Sequence, residues 1–194
     1  MNDIWAIILA AGESKRMGSP KMILPLGGKT IIEKVIENVL SSGIDKVLVV
    51  VGSGSDKILK ITGKYPVMHY YNADYKEGML SSVKCGFNNL PPQFRAAIIF
   101  LGDQPAIKSG IIDSLIESYS GSGKGLVLPV FNNRRGHPLL IDNKYRAEIT
   151  GLNGPEGLKE LLNRHPDDIY EVKTYDPTIL KDIDTIEDYE NELN

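Results

Sequence analysis

At 194 residues, the chain is long enough to bury one large core. Its 22 basic against 25 acidic residues leave a net charge of −3, which argues against general nucleic-acid binding, since that needs a basic face. The single cysteine, Cys85, excludes an internal disulfide and fits a reducing compartment; three histidines with no cysteine cluster leave no zinc signature, and no apolar run approaches the ~18 residues of a membrane span.

The chain opens on Ile4-Trp5-Ala6-Ile7-Ile8-Leu9, which has the length and β-branched content of a buried strand. No basic segment with a long apolar stretch precedes it, so no signal peptide is expected, and the protein is expected to be cytoplasmic. After a loop, Thr30 and Glu33 have the spacing of a capping box. Ile31, Ile32, Val35, Ile36, Val39 and Leu40 then recur at helical spacing, and Gly43 closes the helix. Residues 46–51 form the next expected strand, 55–63 a short helix and 67–71 a further strand. A helix is expected from about Leu80 to Asn89, before Pro91 and Pro92. Residues 96–101 are a third apolar strand, ending at Gly102-Asp103-Gln104-Pro105. Ile111, Ile112, Leu115, Ile116 and Tyr119 mark another helix. Strands over 125–131 and 138–141, a helix over 155–163, a strand over 169–173 and a closing helix over 185–193 complete the reading.

Strands separated by helices imply βαβ units with right-handed crossovers. The expected fold is therefore an α/β three-layer sandwich with a mainly parallel sheet covered on both faces. No Pro/Ser-rich linker, repeat or low-complexity tract divides the chain, so 1–194 is expected to form a single domain. Ligands of such sheets bind beyond the carboxyl ends of the strands. That rule places the loop after Leu9 and the loop after Leu101 on one rim.

The loop after Leu9 reads Ala10-Ala11-Gly12, where a backbone can turn tightly, and then offers Lys15, Arg16 and Lys21. A glycine turn with cations behind a strand suits a triphosphate, and it is equally the composition of an ordinary βα loop with a solvated face. Two familiar phosphate patterns fail. Gly12 is followed by Gly18-Ser19-Pro20, which puts the lysine in the wrong place for a Walker A loop. Gly52-Ser53-Gly54 has Lys57 where a dinucleotide fingerprint needs its third glycine, so that segment reads as a plain turn.

The whole stretch nevertheless resembles the LA(A/G)GxSxRMG signature, with a lysine close behind it, of the nucleotidyltransferases that share the molybdenum cofactor guanylyl- and cytidylyltransferase fold. Leu9, Ala10, Ala11, Gly12, Ser14, Arg16, Met17, Gly18 and Lys21 meet it. The resemblance implies a Rossmann-like nucleotidyltransferase in which Arg16 and Lys21 neutralise the triphosphate and Leu9 to Gly12 contact the nucleotide. Gly-Asp-Gln-Pro resembles the metal-binding GDxP segment, in the form typical of the cytidylyltransferase-like branch, and so implies that Asp103 holds Mg²⁺. Position alone also allows Asp103 to close the strand as an Asx turn. The run Asp182-Ile183-Asp184-Thr185 resembles the family's second metal segment and implies Asp184 as its ligand. Thr185 and Asp188 have in any case the spacing of a helix cap. Asp182 points the same way as Asp184 by alternation.

Asn72 to Ser82 resembles the family's N-x-x-(W/Y)-x-x-G-M-x-x-S nucleotide segment, implying roles for Ser81 and Ser82; serine capping of a helix accounts for the same hydroxyls. Gly136-His137-Pro138 resembles an element of the same branch in which His137 would contact the acceptor, against a structural histidine. Arg134 and Arg135 either attract an anion or form a solvated turn, and Cys85 is expected in the core. Gly151-Leu152-Asn153-Gly154 departs from the branch's G-D-x-G, which removes an aspartate from the acceptor side. Ala11, where guanylyl relatives usually carry glycine, is expected to crowd a purine with its methyl.

The resemblance thus implies a Mg²⁺-dependent enzyme moving CMP from CTP to a molybdopterin-type acceptor. Guanylyl transfer, or transfer to another phosphate acceptor, is the alternative within that class. The alternative from another class is a non-catalytic carrier that delivers the cofactor to a molybdenum hydroxylase client.

Overall fold

The computed structural model describes residues 3–18 and 20–193, without the Lys15 side chain. Lys15, the third cation of the first loop, and Ser19 therefore lie outside the description of the site.

In chain order the elements are β1 (Ile4–Ala10), β2 (Pro25–Leu26), β3 (Lys29–Thr30), α1 (Ile31–Ser41), β4 (Val47–Val51), α2 (Ser55–Thr62), β5 (Met68–Tyr71), α3 (Met79–Asn88) and β6 (Ala96–Leu101). They continue with α4 (Ser109–Ser122), β7 (Leu126–Phe131), β8 (Arg134–Arg135), β9 (Leu139–Asp142), α5 (Arg146–Gly151), α6 (Leu158–Arg164), β10 (Ile169–Lys173) and α7 (Ile186–Leu193). The main sheet runs β10-β7-β9-β6-β1-β4-β5, with β8 paired to β7. β1 lies parallel to β4 and β6, β4 to β5, and β7 to β10; β9 is antiparallel to both β6 and β7. The fold is therefore an α/β sandwich with a mostly parallel, mixed sheet.

Alternation along β1 divides the core. Ala6, Ile8 and Ala10 face one side, with Ile32, Val35, Ile36 and Val39 of α1 and Ile112 and Leu115 of α4. Ile7 and Leu9 face the other, with Val83 and Phe87 of α3, Ile149 of α5 and Leu161 of α6. Each such fully buried aliphatic side chain contributes roughly 1.5–3 kcal/mol relative to exposure. A third, smaller cluster unites Met17 of the first loop, Leu26, Ile31 and Ile183. It clamps the C-terminal segment beside that loop.

The capping box at α1 forms as expected, with the Glu33 carboxylate accepting the Thr30 N–H at 2.7 Å. The expected helix over 155–163 is shorter at its start, since Gly154-Pro155 and Gly157 disfavour a first turn and the helix begins only at Leu158. The reversal of β9 follows from its short link to β7, because a parallel neighbour needs a crossover of roughly a dozen residues or more. A β2–β3 hairpin turning at Gly27-Gly28 also forms, pairing Pro25 with Thr30 and Leu26 with Lys29.

Candidate functional site

Register aligns the ends of the central strands. Leu9 stands opposite Val50 of β4 and Leu101 of β6, so the loops after β1, β4 and β6 leave the sheet at one level. The first loop does not turn at Gly12. Its left-handed residues are Ser14 (φ 52) and Gly18 (φ 64), on either side of a short 3₁₀ turn over Lys15–Met17. Ser14 Oγ then accepts the backbone N–H of Lys21 at 3.1 Å, which folds the loop back over the rim. Leu9, Ala10 and Ala11 are buried and Gly12 is exposed. Ala11 is 4% exposed, and a Cβ added at Gly52 would meet its Cβ at 2.9 Å. The Ala11 methyl is therefore packed between the loops, which corrects the expectation that it crowds a purine.

Four of the sequence-predicted residues converge beyond β1 and β6. Lys21 Nζ lies 2.5 Å from Asp103 Oδ2 and 2.8 Å from Asp184 Oδ1, while an Arg16 guanidinium nitrogen lies 2.7 Å from Asp184 Oδ2. The Lys21 side chain is only 10% exposed and that of Arg16 is 68% exposed, so the first is a largely desolvated charge and the second a solvated one. Burial pushes the Lys21 ammonium down, and the charges and hydrogen bonds of Asp103 and Asp184 more than reverse this, leaving its pKa raised. Partial desolvation pushes the Asp184 carboxyl up, but Lys21 and then Arg16 outweigh it and hold the carboxyl below the usual carboxylate range. Asp182 belongs to the same field: desolvation, and then the charges of Asp184 and Asp103, raise its pKa.

Capping and the ion cluster coexist at the C-terminal segment, because different side chains serve them. Asp188 accepts from the N–H groups of Asp184 and Thr185 and from the Thr185 hydroxyl, and the Thr185 hydroxyl accepts the Asp188 N–H at 3.1 Å. That leaves the Asp184 carboxylate pointing at the cations.

A metal is implied by the resemblance, and the donor set can be tested for it. Asp103 Oδ1 is buried and has no hydrogen-bond partner among the described residues. A buried carboxylate with one oxygen unsatisfied costs free energy that a hard cation would recover. No group of three or more His, Cys, Asp or Glu side chains among the described residues is arranged to hold a metal. The unpaired Asp103 oxygen is what fits an ion such as Mg²⁺, which takes one or two carboxylates and completes its shell with phosphate and water.

A large cleft of about 1200 Å³ opens on the α3 side of the sheet, between the β5–α3 turn and the segment leading into α6. Ser81 and His137 line it; Lys21, Asp103 and Asp184 do not. His137 is the link between the two regions. Burial lowers its pKa, opposed by a hydrogen bond to the Ile99 backbone and by the charge of Asp103, and its Nδ1 is buried without a partner among the described residues. Arg135 also lines the cleft, with its Nε 2.8 Å from Glu171. Arg134 is exposed.

The serines are organised by a residue that the sequence reading quoted only as part of a motif. Asn72 is 4% exposed and donates through Nδ2 to Ser81 Oγ at 2.8 Å and to Ser82 Oγ at 3.0 Å, while its Oδ1 accepts the Asp74 N–H at 3.0 Å. Ser81 Oγ donates in turn to the Gly78 carbonyl at 2.8 Å. Neither serine caps α3; Gly78 is the capping position. The signal available in the sequence was a polar residue directly after a strand, at the end where sheets of this class bind ligands. Lys84 of α3 reaches across to Asn153 at 2.9 Å, joining the two walls. Cys85 is half-buried, packing against the core cluster on one side and lining the cleft on the other, and burial raises its thiol pKa.

Residues 6–169 match the MobA-like NTP transferase domain. The chain belongs to that family. It is 30% identical over 191 residues to a molybdenum cofactor cytidylyltransferase of Escherichia coli (strain K12), covering 97% of this chain and 95% of that protein. It is 28% identical over 196 residues to a nicotine blue oxidoreductase of Paenarthrobacter nicotinovorans, covering 95% and 93%. In fold it matches Rv0371c of Mycobacterium tuberculosis H37Rv at a TM-score of 0.85 with 23% identity, over 98% of this chain and 97% of that one. Rv0371c has also been solved in complex with manganese. The family is one of nucleotidyltransferases, and no helix among the described residues is long and apolar enough to cross a membrane.

Proposed function

We propose that this nucleotidyltransferase moves CMP from CTP to a molybdopterin-type acceptor and releases pyrophosphate, with residues 1–194 acting as one catalytic domain. The observation that carries the reading is the meeting of Lys21, Arg16, Asp103 and Asp184 beyond the carboxyl ends of β1 and β6. A purely non-catalytic carrier has no need of such a cluster. The full-length similarity to a molybdenum cofactor cytidylyltransferase supports the choice of donor and acceptor.

In this reading the Leu9–Gly12 backbone and Ser81, oriented by Asn72, hold the nucleoside, and Ser82 supports Ser81 through the same amide. Lys21 and Arg16 neutralise the triphosphate and the departing pyrophosphate. Asp103 and Asp184 would hold Mg²⁺, which when bound supplies Lewis-acid charge at the reacting phosphate. An acceptor that is already a phosphate monoester needs no general base, so the protein's task is positioning and charge stabilisation. His137, half-buried at the cleft and within the field of Asp103, contacts the acceptor.

The test is incubation with each labelled NTP in turn, Mg²⁺ and molybdopterin, following pyrophosphate. Release with CTP and formation of a cytidylylated product support the reading. Release with another NTP replaces the donor, and no release with any NTP removes nucleotidyl transfer and leaves cofactor delivery to a molybdenum hydroxylase or redox chemistry. The name of the Paenarthrobacter relative points to redox chemistry instead, for which NTP-dependent pyrophosphate release is not expected.

A further inference from the structure

Lys21 holds two jobs that conflict in space. As a cation for the triphosphate it should face the nucleotide, yet its Nζ sits between the two carboxylates, 2.5 Å from Asp103 Oδ2 and 2.8 Å from Asp184 Oδ1. We infer that Lys21 competes with the divalent cation for those carboxylates, so that the metal enters only as a triphosphate draws the lysine aside, and metal and nucleotide bind cooperatively. The inference rests on the proposed reading of Asp103 and Asp184 as the metal carboxylates.

The geometry leaves little room for both cations. Mg²⁺ binds oxygen at roughly 2.0–2.1 Å. A divalent ion held by Asp103 and Asp184 would need carboxylate oxygens that the Lys21 ammonium already holds. The remaining Asp103 oxygen is buried next to the one Lys21 holds, so an ion bound there also lies beside a positive charge. The second Asp184 oxygen is taken by Arg16 at 2.7 Å. Three of the four carboxylate oxygens are thus held by Lys21 and Arg16, and a divalent ion that uses both carboxylates competes with Lys21 for them.

The lysine is held in the first loop by its backbone, which donates to Ser14 Oγ at 3.1 Å, while its flexible four-carbon stem carries three rotatable donors that can exchange one anion for another. A triphosphate on that loop gives the ammonium a replacement anion and gives the metal additional oxygens. Either ligand alone meets half of this requirement, which is the condition for positive coupling. The coupling is reciprocal, so metal must tighten nucleotide binding by the same factor as nucleotide tightens metal binding.

The experiment measures Mn²⁺ binding by electron paramagnetic resonance, with and without a CTP analogue bridged between α- and β-phosphates. Lys21→Met should bind Mn²⁺ at least about tenfold more tightly than the wild type in the absence of nucleotide, although it turns over more slowly. If Lys21→Met fails to fold, Lys21→Gln keeps hydrogen-bonding capacity without the charge and carries the same expectation. Unchanged or weaker nucleotide-free Mn²⁺ binding in the folded variant overturns the competition. The double variant Asp103→Asn, Asp184→Asn tests the underlying reading separately: persistence of its Mn²⁺ binding in the presence of the analogue, beyond that of the analogue alone, removes the carboxylates from the metal site.

Discussion

Ile183 donates its backbone N–H to the carbonyl of Asp103 at 3.0 Å. One hydrogen bond thereby ties the C-terminal segment to the loop after β6 and brings Asp184 into position beside the lysine that Asp103 also holds. Ile183 itself is 2% exposed and packs with Met17, Leu26 and Ile31. The spacing between the two carboxylates is therefore set by a small apolar cluster, with Tyr189 of α7 anchored through its hydroxyl on the Pro25 carbonyl.

Ile183→Ala should destabilise the protein by about 2–4 kcal/mol, as cavity-forming substitutions at fully buried sites do. It should also raise the KM for the metal–nucleotide complex, because Asp184 loses its support. Denaturant unfolding checks the first expectation and steady-state kinetics the second. A variant of wild-type stability would deny the cluster its clamping role.

Lys21→Ala should impair turnover more than nucleotide binding. Negative charge grows on the leaving pyrophosphate in the transition state, and a cation placed there acts mainly on that change. Removing such a cation costs on the order of 3 kcal/mol, roughly a hundredfold in rate. Purified Lys21→Ala with near-normal kcat would take Lys21 out of the mechanism.

Much of the fold was legible because its signals are local. The apolar runs of β1, β4 and β6 and the helical spacing of α1 report burial directly. The reversal of β9 was less so, since direction depends on which strands become neighbours. At the site, the segments carrying Arg16, Lys21, Asp103 and Asp184 stood out in the sequence. The ion pairs among them did not, because residues far apart in the chain meet only when Ile183 docks. Asn72 was hidden for a related reason: its amide acts on serines across a turn, and a single asparagine after a strand looks like any turn residue. The Ala11 expectation failed because whether a small side chain faces a ligand or the next loop is decided by packing.

Asp103→Asn should abolish Mg²⁺-dependent activity and leave the fold intact. The substitution keeps the shape but removes the charge a hard cation requires, and it replaces one of the two anions facing Lys21. Activity assays across a Mg²⁺ series, with circular dichroism as the control for folding, measure this. Full activity at low Mg²⁺ would reduce Asp103 to a turn residue.

Stability should fall on the acid side through Glu33. Burial pushes its carboxyl up, but hydrogen bonds from Lys64 and Thr30 outweigh this and hold its pKa at about 2, against a usual 4.5. A carboxyl whose folded pKa is depressed contributes its full stabilisation above the unfolded value, and loses it as pH falls from about 4.5 toward 2. Glu33→Gln should keep the capping geometry yet flatten this part of the pH profile. Glu33→Ala should cost about 1–2 kcal/mol at neutral pH, since it also loses the cap. Urea denaturation midpoints from pH 2 to 7 compare the three proteins, and an unaltered acid slope in Glu33→Gln would assign the loss to other carboxylates.

CTP should be preferred over GTP as donor. The Gly-Asp-Gln-Pro form of the Asp103 segment and the similarity to a cytidylyltransferase motivate this, whereas the buried Ala11 methyl contributes nothing to it. Discrimination between bases arises when polar groups fixed in the pocket pair with one base edge and stay unpaired with the other. Such a mismatch costs several kcal/mol, on the order of a thousandfold in kcat/KM. The proposed nucleoside contact has the required rigidity. Ser81 Oγ gives its proton to Gly78 and accepts from Asn72, so it meets a substrate with its remaining lone pair already oriented. Asn72→Ala should release that hydroxyl and narrow the CTP preference, with a rise in KM for CTP larger than the fall in kcat. Competition between the two nucleotides for one molybdopterin acceptor measures the ratio directly. A kcat/KM for GTP equal to or above that for CTP would make the protein a guanylyltransferase and leave its place among the nucleotidyltransferases unchanged.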